Sequence, residues 1–206
     1  MQDFLLNNYS FITHFVEFFA AVVGLLFYGK YKNTAARYFI WFLVYVAFID
    51  LIGSYPTYVK NHDFLYFIKE FLEGTKVENN RWFFTIFWSI GSTLFYTFYF
   101  QKIIKSYKSI RLMRYSILLF VVSSIVYIGL NWDAFFASAL AFVEIFGVSV
   151  ILLSIVLYFV ETLQSENVLS FYKSLSFYIA AVLFLWLLVT TPLMFYDLYF
   201  SQSDMD

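Results

Sequence analysis

Six stretches of this chain stay apolar for longer than a water-soluble domain can use. They run Tyr9–Tyr28, Ala35–Tyr55, Trp82–Phe100, Tyr115–Leu130, Ala134–Val160 and Ser174–Tyr199. A helix needs about 20 mostly apolar residues to cross a bilayer. Five of the six reach or approach that length; Tyr115–Leu130 is the short one. Only helices or closed barrels satisfy their backbone polar groups inside lipid. The runs therefore predict an all-α, polytopic transmembrane helix bundle of six spans, with residues 1–206 forming a single transmembrane domain. Composition agrees: 62% of residues are hydrophobic and 13% charged, against about 45–50% and 25% in soluble domains.

The same arithmetic removes several function classes. The formal net charge is −1, so no direct nucleic-acid contact is expected. There is no cysteine, hence no disulfide, thiolate metal site or cysteine nucleophile. Met1-Gln2-Asp3 carry no positive charge ahead of the first run, and no small-residue cleavage site follows, so no cleaved leader is expected. Orientation follows from loop lysines and arginines. Lys30, Lys32, Arg37, Lys102, Lys105, Lys108, Arg111, Arg114 and Lys173 fall in odd-numbered loops; only Lys60, Lys69, Lys76 and Arg81 fall on the other side. The odd loops are thus predicted cytoplasmic and both termini outside.

One connection is long, residues 56–81. Within it Phe64, Leu65, Phe67, Ile68, Phe71 and Leu72 recur at helical spacing, while Tyr66, Lys69, Glu70 and Glu73 face away. Asp63 can cap the start and Gly74 the end. The segment is too short to span, so it reads as an interfacial helix with its apolar face in lipid, or as a cover over the mouth of the bundle.

The informative residues are the ionisable ones inside spans: His14 and Glu17, Asp50, and Glu144. An acid at mid-bilayer costs about 2.5–3.5 kcal/mol on insertion scales, so such residues face the bundle interior or a wet cavity. Their neighbours agree. His14, Glu17, Ala21 and Gly24 form one stripe, Ala47, Asp50 and Ser54 another, and Ala137, Ala141, Glu144 and Val148 a third. Small residues on such stripes allow close helix contact. Glu17 and Glu144 are expected near mid-membrane, His14 and Asp50 nearer the outer face. Thr190, Thr191, Ser92 and Asp133 would support the lining. Pro192 frees a backbone carbonyl that a hydroxyl or cavity must satisfy. The expectation is a polar, acidic pocket open to the outside.

Several chemistries fit that lining. Protonated acids bonded to hydroxyls would be interhelical glue. Acids beside a histidine make a proton relay or cation site. His14 and Glu17 at i,i+3 can share one metal ion, with Asp50 and Glu144 completing the shell. Glu17 and Asp50 could pair as catalytic acids, yet no nucleophile elbow or glycine-rich phosphate loop is present. Small-residue stripes can also bind a protein partner or a second copy of the chain. The reading that covers most of these features is a non-enzymatic membrane module that senses, regulates or assembles with a partner, with a proton or small-cation channel or transporter as its alternative.

The stretch Phe11–Tyr55, FITHFVEFFAAVVGLLFYGKYKNTAARYFIWFLVYVAFIDLIGSY, resembles small multi-span inner-membrane proteins of AT-rich bacteria. In size, span density and composition the chain is also similar to the membrane accessory proteins of RNA-targeting, type VI-B CRISPR effectors. The first resemblance implies a bacterial inner membrane; the second implies modulation of antiviral defence at that membrane. Neither supplies a site residue.

Overall fold

The computed structural model describes the backbone of residues 2–61, 63–165 and 171–199, and the side chains of residues 8, 11–60, 64–165, 171 and 173–193. Among them every regular element is helical. Five helices are long and apolar enough to cross a membrane: Ala36–Lys60, Arg81–Ile103, Tyr107–Leu130, Ala141–Gln164 and Leu175–Leu193. The apolar stretch Phe11–Leu26 is shorter. The chain divides into two compact units, residues 1–88 with 133–138, and residues 89–132 with 139–206.

In the first unit, α1 (Gln2–Leu26) packs along α2 (Ala36–Gly53). Small residues make the approach possible. Ala21 is buried, and a Cβ added at Gly24 would lie 3.2 Å from Ile40 Cγ2. The opposite side of α1 carries the exposed rings of Phe11, Phe15, Phe18 and Phe19. Such a surface suits a hydrocarbon solvent and not water. At Ser54 the helix turns. The Ser54 hydroxyl donates to the Asp50 carbonyl (2.9 Å), and a further helical stretch, Tyr55–Asn61, carries Pro56 at its second residue, where a missing N–H costs little.

The connection 63–80 is folded, not slack. A 3₁₀ turn, Asp63–Leu65, leads into α3 (Tyr66–Leu72). Leu65, not Asp63, holds the N-cap position, and the side chain of Asp63 lies outside the described residues. Gly74 ends the helix with φ +74, as expected for a left-handed C-terminal stop. The apolar face of α3 is bare: Phe64, Phe67 and Phe71 are 81%, 80% and 74% exposed. Within its unit α3 packs against the helical stretch Tyr55–Asn61, and these three rings stay outside that contact. The following loop is pinned by three anchors. The Tyr55 hydroxyl sits between the carbonyls of Val77 and Asn79 and shares its one hydrogen between them, Asn80 Nδ2 donates to the Gly53 carbonyl (2.7 Å), and Lys76 pairs with Asp133 (2.7 Å) on α6 (Trp132–Ala137).

The span Arg81–Ile103 is not uniform. Residues Phe84–Ile90 are π-helical, and regular helix resumes as α4 (Gly91–Ile103). A π segment widens the turn and unsettles the regular hydrogen-bond ladder. The Tyr45 hydroxyl donates to the Phe87 carbonyl there (2.6 Å). The boundary between units falls inside this segment, after Trp88.

In the second unit α7 (Ala141–Gln164) is central. It packs against α4, α5 (Tyr107–Leu130) and α8 (Leu175–Tyr199). The core holds Tyr99, Phe100, Met113, Phe120, Val143, Ile155 and Leu187, all essentially sealed. Gly147 brings α7 against α4: an added Cβ would sit 2.6 Å from Thr93 Oγ1. The Tyr99 hydroxyl donates to Ser176 Oγ (3.1 Å), joining α4 to α8.

Two expected boundaries are corrected. The helix that carries the fourth apolar run has 24 residues, longer than the 16-residue run, because α5 begins at Tyr107. Ser106 is its N-cap and accepts from the Ser109 N–H, so Lys108, Arg111 and Arg114 decorate the first turns of a helix instead of a loop. Apolarity marks where lipid starts, not where a helix starts. The expected run Ala134–Val160 is broken at residues 138–140 into α6 and α7. No proline or glycine causes this break. Phe135 is buried in the first unit, whereas Leu140 and Val143 are buried in the second.

Candidate functional site

The first unit contains the densest group of ionisable side chains within apolar helices. The i,i+3 spacing of His14 and Glu17 puts both on the face of α1 that meets α2. The i,i+4 spacing of Asp50 and Ser54 does the same on α2. His14 Nε2 lies 3.3 Å from Asp50 Oδ2 and 3.2 Å from Ser54 Oγ. The Ser54 hydroxyl hydrogen is committed to the Asp50 carbonyl. Ser54 and Asp50 therefore both require the hydrogen on Nε2, a tautomer assigned from the network. The Glu17 carboxyl stands beside that of Asp50, within side-chain hydrogen-bond reach. Its Oε2 is buried with no hydrogen-bond partner.

This arrangement has a definite chemical consequence. Two carboxyl groups hydrogen-bond to each other only when one carries a proton. With His14 beside Asp50, the three side chains form one contact group between α1 and α2. The His14 and Asp50 side chains are each 24% exposed.

Other expected site residues have different roles. Glu144 belongs to the second unit and lies in the first turn of α7. It is therefore at a helix end, where an acid suits the positive end of the helix dipole, and not at mid-helix. Ala137 and Ala141, expected to share its stripe, sit on separate helices. Asp133 is an exposed partner of Lys76 through Oδ1, which holds its carboxyl below the ordinary aspartate range. Thr190 and Thr191 donate to the carbonyls of Trp186 (2.9 Å) and Leu187 (2.6 Å). The carbonyl that Pro192 deprives of a donor is that of Leu188, so neither hydroxyl answers it. Ser92 is buried in the second unit. Among the described residues no group of three or more His, Asp or Glu side chains is placed to hold a metal ion. Of the expected shell, His14, Glu17 and Asp50 belong to the first unit and Glu144 to the second.

Two features escaped the sequence reading. One is a set of sealed hydroxyls in the second unit: Thr97, Ser124 and Ser154. Thr97 and Ser124 make no hydrogen bond through their hydroxyl oxygens. The repeat of Ser89, Thr93 and Thr97 every four residues was the available signal. The other is Glu161, whose two oxygens accept the backbone N–H groups of Lys105 (2.6 Å) and Ser106 (3.0 Å). No protein-family model matches this chain, and neither a curated protein nor a solved structure matches it.

Proposed function

We propose that the chain is a non-enzymatic multi-span membrane module in which His14, Glu17 and Asp50 form a proton-responsive centre. The carrying observation is their convergence at the α1–α2 contact, with a buried, unpartnered Glu17 oxygen. Adding or removing a proton there changes the charge between two packed helices. In a low-dielectric setting that alters their pairing strongly. A change in pairing is what a sensor passes to a partner protein or a second copy.

In this reading the protein has six spans in a bacterial inner membrane, with both termini outside. α1 counts as the sixth because its 25 residues extend about 37 Å, enough for the ~30 Å hydrocarbon core. The bare rings of α3 then lie in the interfacial lipid, since α3 directly follows a span end. An accessory role in antiviral defence rests on compositional resemblance alone and uses none of these residues.

The test uses the absence of native cysteine. A Gly24→Cys, Ile40→Cys pair, placed where α1 and α2 touch, reports helix pairing by disulfide cross-linking in membranes. Cross-linking should change between pH 5 and pH 8 in this background. It should be flat once Glu17→Gln and Asp50→Asn are added, after correction with the same pair in detergent-unfolded protein. Proton flux through liposomes that Glu17→Gln abolishes would support the transport alternative and overturn the sensing one.

A further inference from the structure

The acidic centre shares one turn of α2 with a second set of contacts. Toward α1, His14 Nε2 reaches Asp50 Oδ2 and Ser54 Oγ, and the Ser54 hydroxyl donates to the Asp50 carbonyl. Gly53 lies within the same turn and is buried. A Cβ added there would lie 2.6 Å from Phe84 Cζ. The Gly53 carbonyl is free for a neighbour because the helix turns at Ser54. The Thr57 N–H bonds the Ser54 carbonyl (3.0 Å), one residue later than an unbroken helix would have it. Asn80 Nδ2 donates to the Gly53 carbonyl at 2.7 Å. Asn80 is the N-cap of the helix Arg81–Phe83, where an asparagine side chain ordinarily accepts an N–H of its own first turn. It makes no such bond and is committed to α2 instead. Tyr55, the residue after Ser54, places its hydroxyl between the carbonyls of Val77 and Asn79.

We propose that the turn Asp50–Tyr55 is a relay that carries the state of the acidic centre to Asn80, and through Asn80 to the start of the run Arg81–Ile103. The inference rests on the proton-responsive reading of His14, Glu17 and Asp50 and gives that centre a route of output. Coupling of this kind needs an element that both ends bias. Here the element is a single turn. A change in how α1 holds Asp50 and Ser54 shifts Gly53 as well, and the Phe84 ring against Gly53 leaves no slack between the two segments. The receiving end is easily tipped, since one side-chain hydrogen bond holds it. Just beyond, residues Phe84–Ile90 are π-helical, a form with a less regular ladder, and the Phe87 carbonyl is held from α2 by the Tyr45 hydroxyl (2.6 Å). The ionisable groups around the turn come from several segments. His14 and Glu17 on α1 meet Asp50 at the turn itself. Lys60 follows on the stretch Tyr55–Asn61, and Lys76, Glu78 and Arg81 lie on the connection and at the start of the next run. Lys76 pairs with Asp133, and Glu78 Oε2 accepts from the Gly74 N–H (3.3 Å).

The experiment is hydrogen–deuterium exchange of the full chain in nanodiscs, read over residues 77–84 at pH 5 and pH 8 and corrected for intrinsic rates. In the parent the two rates should differ about two- to tenfold, the range that one hydrogen bond gives. Glu17→Gln with Asp50→Asn should abolish the difference, which assigns it to the centre and not to Lys76, Glu78 or Arg81. Asn80→Asp should abolish it as well. An aspartate still suits an N-cap, so the helix start survives, but its carboxylate has no hydrogen to donate to Gly53. Asn80→Ala should behave alike. In both Asn80 variants the Gly24→Cys, Ile40→Cys cross-link should keep its pH dependence, because the centre is intact. A pH-dependent cross-link with exchange over residues 77–84 that is flat in the parent, or that still responds in both Asn80 variants, overturns the relay and leaves the sensing reading standing. A cross-link that is flat in the parent overturns that reading and the relay with it.

Discussion

Gly147→Ala is the sharpest test of the packing in the second unit. The new Cβ would lie 2.6 Å from Thr93 Oγ1 and 3.5 Å from the Phe120 ring. The first distance is too short by several tenths of an ångström, so something must move. Thr93 is poorly placed to yield. It is 1% exposed, β-branched and therefore stiff, and its hydroxyl donates to the Ser89 carbonyl at 2.8 Å. Overpacking of this kind costs about 1–3 kcal/mol. Replacing glycine by alanine inside a helix returns at most about 1 kcal/mol. The net expectation is destabilisation by about 1–2 kcal/mol, read as a shift of the unfolding midpoint in SDS titration. Thr93→Ala removes the obstructing oxygen and forfeits only a local bond within its own helix. The double variant should recover most of the Gly147→Ala loss, a coupling of at least ~1 kcal/mol in the double-mutant cycle. A Gly147→Ala protein as stable as the parent, or strictly additive effects, would refute the close approach of α7 and α4.

The remaining expectations follow from the same geometry. Gly129→Ala, where nothing lies within 4 Å of the added Cβ, should be neutral or stabilise by up to ~1 kcal/mol in the same titration. Glu161→Ala leaves the Lys105 and Ser106 N–H groups without their acceptor and should cost about 1–3 kcal/mol. Glu161→Gln, which keeps one acceptor oxygen, should cost less, and equal losses would argue against the paired bonds. Lys76 lowers the Asp133 pKa from its ordinary 3.8. Because the folded value is the lower one, this pair's small contribution is fully present above about pH 4 and fades as pH falls through the lowered value. Amide exchange in residues 74–80, corrected for intrinsic rates, should therefore rise below pH 4 in the parent and be raised at all pH values in Asp133→Asn; an unchanged neutral-pH rate in Asp133→Asn would show that the pair does not hold the loop.

Much of this architecture is legible in the sequence because lipid imposes one demand on every span. Apolar runs near 20 residues located the long helices, and the i,i+3 and i,i+4 spacing of His14, Glu17, Asp50 and Ser54 put them on facing stripes. Gly74 declared the end of α3 through its backbone freedom. The failures share a cause. Hydropathy is a property of surroundings, and helices start and stop for other reasons. Ser106 begins α5 well before the chain turns apolar, and the break at residues 138–140 lies in uninterrupted apolarity. That break moved Glu144 from mid-span to a helix end. Glu161 lies one residue past the apolar run Ala134–Val160, and its carboxylate holds the backbone of a distant turn.

The central proposal is that the carboxyl groups of Glu17 and Asp50 and the ring of His14 form one proton-responsive, hydrogen-bonded centre. Infrared difference spectroscopy of the membrane-reconstituted protein between pH 5 and pH 8 measures that most directly. The account expects a protonated-carboxyl band that is shifted or lost in both Glu17→Gln and Asp50→Asn, since either substitution breaks the shared bond, and perturbed by His14→Ala. Bands that disappear one residue at a time, with His14→Ala leaving both untouched, would show independent carboxyls and contradict it.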